Sequence, residues 1–129
     1  MIYVVCGLIG AGKSTYVRSH FDYFTECENG TTKPEQIEQT MGFYHSGKDV
    51  AHVTCFPTAE ELEAFKNLDV KYLWIDTDPD QAFENVKSRG RQRDVNHLEY
   101  VMEKNMGYYS KLSRSGFEEI SVFQTNERW

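Results

Sequence analysis

The run Gly7-Leu8-Ile9-Gly10-Ala11-Gly12-Lys13-Ser14 matches the pattern G-x-x-x-x-G-K-[ST] without departure. From average composition, a chance match in a chain of this length is on the order of one in a few hundred. Its setting constrains the fold further. The apolar run Ile2–Cys6 precedes it and reads as a fully buried strand, and Lys13–His20 follows it as a short helix. A strand that turns through glycines into a helix is the arrangement a phosphate-gripping backbone needs. Glycine permits dihedrals that a Cβ forbids. The loop N–H groups then form an anion nest, to which the helix beginning near Gly12 adds its positive dipole end. Lys13 supplies a mobile cation for β- and γ-phosphates, and Ser14 places a hydroxyl on Mg²⁺. Gly7, Leu8, Ile9, Gly10, Ala11, Gly12, Lys13 and Ser14 are therefore the expected binding residues for ATP or GTP as its magnesium complex. Thr15 joins them as a packing or capping residue rather than a metal ligand.

Strand-like and helix-like segments alternate along the remaining chain, the pattern of an α/β fold with a mainly parallel sheet. Tyr23–Cys27 reads as a second strand and Glu28–Lys33 as a polar loop. Pro34 suits the first turn of a helix along which Ile37, Met41 and Tyr44 recur at helical spacing, with Gly47 closing the segment. Val50–Phe56 is a third strand. Thr58 and Glu61 form a capping box for a helix expected to bury Leu62 and Phe65. Val70–Ile75 is a fourth strand. Asp78 is an N-cap, with Pro79 first and Gln81 third in a helix whose apolar face is Ala82, Phe83 and Val86. A basic loop, Arg89–Asp94, leads to a long helix over His97–Leu112. Asn96 and Glu99 would box its start, and Leu98, Val101, Met102, Tyr109 and Leu112 would line its inner face. Ile120–Gln124 is the last strand. The expectation is five strands with helices between them, a three-layer sandwich in one domain spanning 1–129.

Composition limits the function classes. The 129 residues fit one core. A net charge of -6 and a sequence pI of about 5.2 disfavour non-specific nucleic-acid binding, which relies on many phosphate-neutralising Lys and Arg. No apolar run approaches the roughly 20 residues of a membrane span, and no basic-then-apolar leader is visible, so a cytoplasmic location is expected. Cys6, Cys27 and Cys55 show neither zinc spacing nor a disulfide framework. Cys6 and Cys55, both in strand-like runs, read as small buried hydrophobes. His52 reads as a satisfied histidine in or beside the sheet, and His45 and His97 as surface or helix-start residues.

The N-terminal Ile2–Thr15 stretch resembles the start of the small P-loop kinases, a group that includes nucleoside monophosphate kinases, gluconate kinase and phage polynucleotide kinase. The resemblance is nearest to the kinase domain of phage polynucleotide kinase. It continues through Tyr72-Leu73-Trp74-Ile75-Asp76, the helix at Gln81–Val86, Ser88-Arg89-Gly90 and the long helix around Tyr100–Met106. It implies the strand order 2-3-1-4-5. It also implies a basic lid at about 88–95 in which Arg89 closes over the donor phosphates, with Arg91 and Arg93 nearby. A guanidinium fork suits this task because it binds two phosphate oxygens and stays charged. The family carries an acidic residue just after the second strand that serves the acceptor. Here Glu26-Cys27-Glu28 stands there, and either Glu26 or Glu28 is expected to orient an acceptor hydroxyl. The chain departs from the pattern at the end of the third strand. Many relatives hold the Mg²⁺ shell there through an Asp, whereas this chain has Thr54, which brings no charge; Asp76 at the end of the fourth strand is an alternative carboxylate. Thr125 and Asn126 fall where related kinases pass the adenine ring.

Two functions fit these residues. The leading expectation is a kinase moving the γ-phosphoryl group of ATP to a hydroxyl or phosphate acceptor, such as a nucleoside, a nucleotide, a nucleic-acid 5′ end or a small polyol. The alternative, favoured by Thr54, is a nucleotide-binding accessory or regulatory protein with weak hydrolysis.

Overall fold

The computed structural model describes residues 1–27, 30–89, 97–111 and 117–120. Its five parallel strands are β1 (Ile2–Cys6), β2 (Phe24–Thr25), β3 (Val50–Val53), β4 (Val70–Ile75) and β5 (Glu118–Ile120). Their order across the sheet is β2-β3-β1-β4-β5, the expected 2-3-1-4-5. Among the described residues five helices accompany them: α1 (Lys13–His20), α2 (Lys33–His45), α3 (Ala59–Phe65), α4 (Pro79–Arg89) and α5 (Leu98–Lys111).

β1 occupies the centre because it is apolar on both faces. Ile2, Val4, Val5 and Cys6 are fully buried, as a strand covered on two sides requires. Each such aliphatic side chain stabilises the fold by about 1.5–3 kcal/mol. β1 pairs with β3 in the register Ile2↔Val50 to Val5↔Val53, and with β4 from Ile2↔Val70 to Cys6↔Trp74. All three strands therefore end at the same level, where the loop after β1 begins.

Three strands differ from their expected bounds. β2 is limited to Phe24–Thr25, where it pairs with β3 through Phe24↔Ala51 and Thr25↔His52. β3 stops at Val53, three residues short of Phe56. β5 begins earlier, at Glu118, and Glu118 and Glu119 are exposed. Charged residues on an edge strand mask its hydrophobic signature. Its cross-strand support includes a Lys71–Glu118 ion pair at 3.3 Å. The rest of the expected last strand, 121–124, lies outside the described residues, as do Thr125 and Asn126.

Two helix faces are corrected. In α3, Phe65 is buried as expected, but Leu62 is 49% exposed and Glu61 is fully buried instead. In α5, Met102 and Tyr109 are 49% and 40% exposed, whereas Val101 and Asn105 are buried. Val101, Asn105 and Tyr108 form one stripe at i, i+4 and i+7. Asn96 and Leu112 lie outside the described residues. In both helices the buried position goes to a polar side chain with partners inside the protein, Glu61 with His52 and Asn105 with Ile9.

For Glu61 those partners form a polar network between α2, β2, β3 and α3. Thr32, the N-cap of α2, makes a capping box with Glu35. This starts α2 one residue before Pro34 and turns Gln36 and Thr40 into the interior. The Gln36 side-chain amide donates to Thr25 O at 3.0 Å and to Val53 O at 2.8 Å, bridging β2 and β3 beyond their ladder. His52 is fully buried with both ring nitrogens partnered, as expected of a structural histidine. Burial holds its pKa below the usual value, although Glu61 opposes this. A neutral ring donates from Nε2 to Glu61 Oε2 (2.6 Å) and accepts at Nδ1 from Thr40 Oγ1 (2.7 Å). Lys33 Nζ reaches the same Glu61 oxygen at 2.8 Å. Burial alone would raise the Glu61 pKa. Hydrogen bonds from His52, Lys33 and the Thr58 amide, with the Lys33 charge, outweigh it and bring it down to about 2.

Removing the carboxylate takes the acceptor from buried His52 Nε2 and the counter-charge from Lys33, which keeps only the neutral oxygens of Gln36 and Thr54. Glu61→Ala should therefore destabilise the protein by about 3 kcal/mol in urea unfolding. The pH dependence has a definite sign. Glu61 and His52 both titrate lower when folded, so the unfolded chain binds more protons in acid and stability falls with falling pH. For Glu61 the loss runs from its ordinary value of 4.5 towards 2. Glu61→Gln should flatten that part of the stability–pH curve; an unchanged acid limb would exclude this role.

Candidate functional site

The loop from Gly7 to Gly12 joins β1 to α1 above the ends of the central strands. Its glycines answer identifiable demands. Gly10 has φ +90°, and a Cβ there would lie 2.4 Å from Ala82 O, so α4 packs directly on the loop backbone. Gly12, the N-cap of α1, has φ +97° and offers no side-chain acceptor, and the first turn of α1 has no acidic residue. The amides opening α1 thus lack a side-chain cap, which makes them donors for an anion.

Three side chains from outside the motif fasten the loop. Asn105 of α5 accepts from Ile9 N at 2.7 Å and donates to Ile9 O at 3.0 Å. Asn85 of α4 donates to Gly10 O at 2.9 Å, and Thr77, after β4, donates to Ala11 O at 2.9 Å. Three successive carbonyls are thereby turned to the protein. Sequence reasoning missed all three side chains. The one available signal was an Asn in the middle of the stripe Val101–Tyr108, where an apolar residue fits the pattern.

Lys13, half-buried, lies over the loop with Nζ 2.8 Å from Gly7 O, 2.7 Å from Leu8 O and 3.6 Å from Cys55 Sγ. The Ser14 hydroxyl donates to Glu26 Oε1, so the expected metal ligand and one expected acceptor carboxylate are in direct contact. Glu26 is 10% exposed at its side chain, and its other oxygen lies 3.6 Å from the exposed guanidinium of Arg18. Thr15 is exposed at the edge of the same cavity. Glu28, Arg91 and Arg93 fall outside the described residues, and Arg89 is described only as the last residue of α4.

Ile9 to Thr15 line a cavity of about 830 Å³, which also meets Glu26, Cys27, Lys33, Thr54, Phe56 and Tyr108. Burial pushes the Tyr108 phenol up to about 12, so it stays neutral and can donate a hydrogen bond. At the end of β3, Thr54 accepts from Lys33 Nζ at 3.3 Å and donates to Glu61 Oε1 at 3.3 Å. Asp76 is exposed and is not among the cavity residues. Cys55 is half-buried at the cavity, while Cys6 is buried in the sheet as expected. Among the described residues no group of three His, Cys, Asp or Glu side chains forms a metal cage. None of the described helices is long and apolar enough to cross a membrane.

No protein-family model matches the chain, and no curated protein matches it in sequence. Solved structures do match in shape. Deoxyadenosine kinase from M. mycoides with bound dATP aligns with a TM-score of 0.58 and 14% identity, over 95% of this chain and 90% of that one. The same enzyme with dCTP gives 0.52 and 16%, over 95% and 89%. The YorR protein from Bacillus subtilis, in complex with phosphorylated GDP, gives 0.55 and 13%, over 95% and 85%. At such identities the likeness establishes the fold: this chain has the α/β P-loop architecture those proteins share. The narrower resemblance to phage polynucleotide kinase rests on sequence alone.

The loop fastening can be tested directly. Asn105→Ala leaves both Ile9 backbone groups without their partner, and unfolding in denaturant should show a loss of about 1–3 kcal/mol. Stability equal to wild type would mean that Ile9 needs no side-chain partner.

Proposed function

We propose that this chain is a phosphotransferase that moves the γ-phosphoryl group of Mg-ATP or Mg-GTP to an acceptor hydroxyl or phosphate. The observation that most supports it is the cavity itself. One wall is the fastened loop with Lys13 and Ser14; another carries Glu26 and Lys33 at the ends of β2 and α2. Its volume is ample for a nucleotide-sized ligand.

In this reading the loop amides and Lys13 hold the triphosphate, and Arg89 and Arg93 close over it from the lid. A carboxylate after β2, Glu26 or Glu28, faces the acceptor and takes its proton. The bond from the γ-phosphorus to the β–γ bridging oxygen breaks as the bond to the acceptor oxygen forms, and the nucleoside diphosphate leaves. Magnesium, when bound, would neutralise charge on the phosphates; Ser14 offers a hard oxygen donor of the kind it prefers. The acceptor is a nucleoside, a nucleotide, a nucleic-acid 5′ end or a small polyol. A cytoplasmic location goes with this reading.

The second reading, an accessory nucleotide-binding protein with weak hydrolysis, is favoured by one observation. The β3 end carries Thr54 bound to Lys33 and Glu61 rather than a free carboxylate. Transfer from γ-labelled ATP to a panel of acceptors separates the two.

Mg-ATP or Mg-GTP should raise the melting temperature through binding to the folded state, and Lys13→Ala should remove most of that shift while leaving the apo fold intact. Equal shifts in both proteins would exclude the site. Arg89→Ala should lower turnover by about two to four orders of magnitude, with far less effect on nucleotide affinity measured by calorimetry. Matching losses would make Arg89 a ground-state binder only.

A further inference from the structure

Resting on the nucleotide-binding reading above, we propose that Glu26 serves the metal rather than the acceptor: it is the carboxylate that completes the Mg²⁺ site begun by Ser14. The end of β3 has given up that role to the Lys33–Glu61 pair.

The Glu26 side chain is only 10% exposed and takes the hydroxyl of Ser14, the residue next to Lys13. Phosphates gathered by Lys13 would bring further negative charge to the same corner, and such repulsion grows as water is excluded. The nearby cation is Arg18, but it lies 3.6 Å from the far oxygen and its side chain is 57% exposed, so solvent screens it. A divalent ion between phosphate and carboxylate relieves the repulsion. The donor set also fits. A hydroxyl and a carboxylate oxygen are hard ligands, and Mg²⁺ is commonly held by one or two carboxylates together with substrate phosphates and water. Two protein donors make a site that fills with the nucleotide rather than a standing cage, in keeping with the absence of a three-residue cluster among the described residues.

The β3 end has the opposite character. The Lys33 ammonium lies 3.3 Å from Thr54 Oγ1, where it opposes a second cation. Glu61, the carboxylate that Thr54 meets among the described residues, already accepts from Lys33 at 2.8 Å, His52 at 2.6 Å and the Thr58 amide at 2.9 Å. Thr54 is thus committed to a structural network.

The test is calorimetric titration with ATP in Mg²⁺ and in excess EDTA, together with electron paramagnetic resonance of Mn²⁺-ATP. Wild type should gain affinity from the metal. Glu26→Gln, which keeps an acceptor for Ser14, should lose about 10–100-fold of that gain without weakening metal-free ATP, and Thr54→Val should change it by less than about twofold. The manganese spectrum should change on binding to wild type and to Thr54→Val, and less for Glu26→Gln. Glu26→Asp, a second variant should Gln misfold, should keep only part of the gain. A full gain in Glu26→Gln or Glu26→Asp, or its loss in Thr54→Val, would overturn the assignment. Wild type that binds no ATP, or binds it independently of Lys13, would overturn the nucleotide reading itself, and the same titration shows which has failed.

Discussion

Asn105, Asn85 and Thr77 take the carbonyls of Ile9, Gly10 and Ala11, and the rest of the site follows from that fastening. A glycine-rich loop has too much conformational freedom to stay ordered without outside partners. Here its partners come from three separate places, α5, α4 and the turn after β4. Each carbonyl held against the protein leaves the amides opening α1 to face the cavity. The loop, α4 and α5 therefore form one mechanical unit.

The other half of the cavity is built on a different principle. β2 is a two-residue edge strand that cannot fix its own C-terminal end by ladder hydrogen bonds alone. Gln36 bridges it to β3, and the Thr25–Thr40–His52–Glu61 chain ties β2, α2, β3 and α3 together. A buried network of this kind contributes modest net stability, because desolvation offsets much of its electrostatic gain. What it supplies is position. Glu26 follows Thr25 directly, so the carboxylate that meets Ser14 stands at the end of the segment the network holds. Lys33 brings the same network to the cavity wall.

Much was legible in the sequence because it depends on local rules. The apolar run of β1, the glycine motif, the capping box at Thr58 and Glu61, and Asp78 before Pro79 each specify structure within a few residues of themselves. The errors came where a side chain answers to a partner distant in sequence. Leu62 and Met102 are apolar at helical spacing, yet both are about half exposed, since Glu61 and Asn105 have partners on β3 and in the glycine-rich loop. Periodicity reads an apolar face but is blind to a polar residue that is satisfied inside. The last strand was expected, but its start at Glu118 rather than Ile120 escaped for a related reason: pairing with β4 is made by backbone, and Glu118 and Glu119 carry no strand pattern.

The order of residues was enough to specify a glycine-rich loop between a buried strand and a helix in an alternating α/β chain. Backbone dihedral limits and hydrophobic periodicity act within a segment, so the order of residues suffices. Only the tertiary structure decided which side chains surround that loop. It brought Asn105 to Ile9 across 96 positions and Glu26 to Ser14 across 12, and it joined Lys33 to Glu61 beside Thr54. Hydrogen bonds and ion pairs depend on distances of a few ångströms between atoms, and those distances exist only once the sheet order has placed the strand ends side by side.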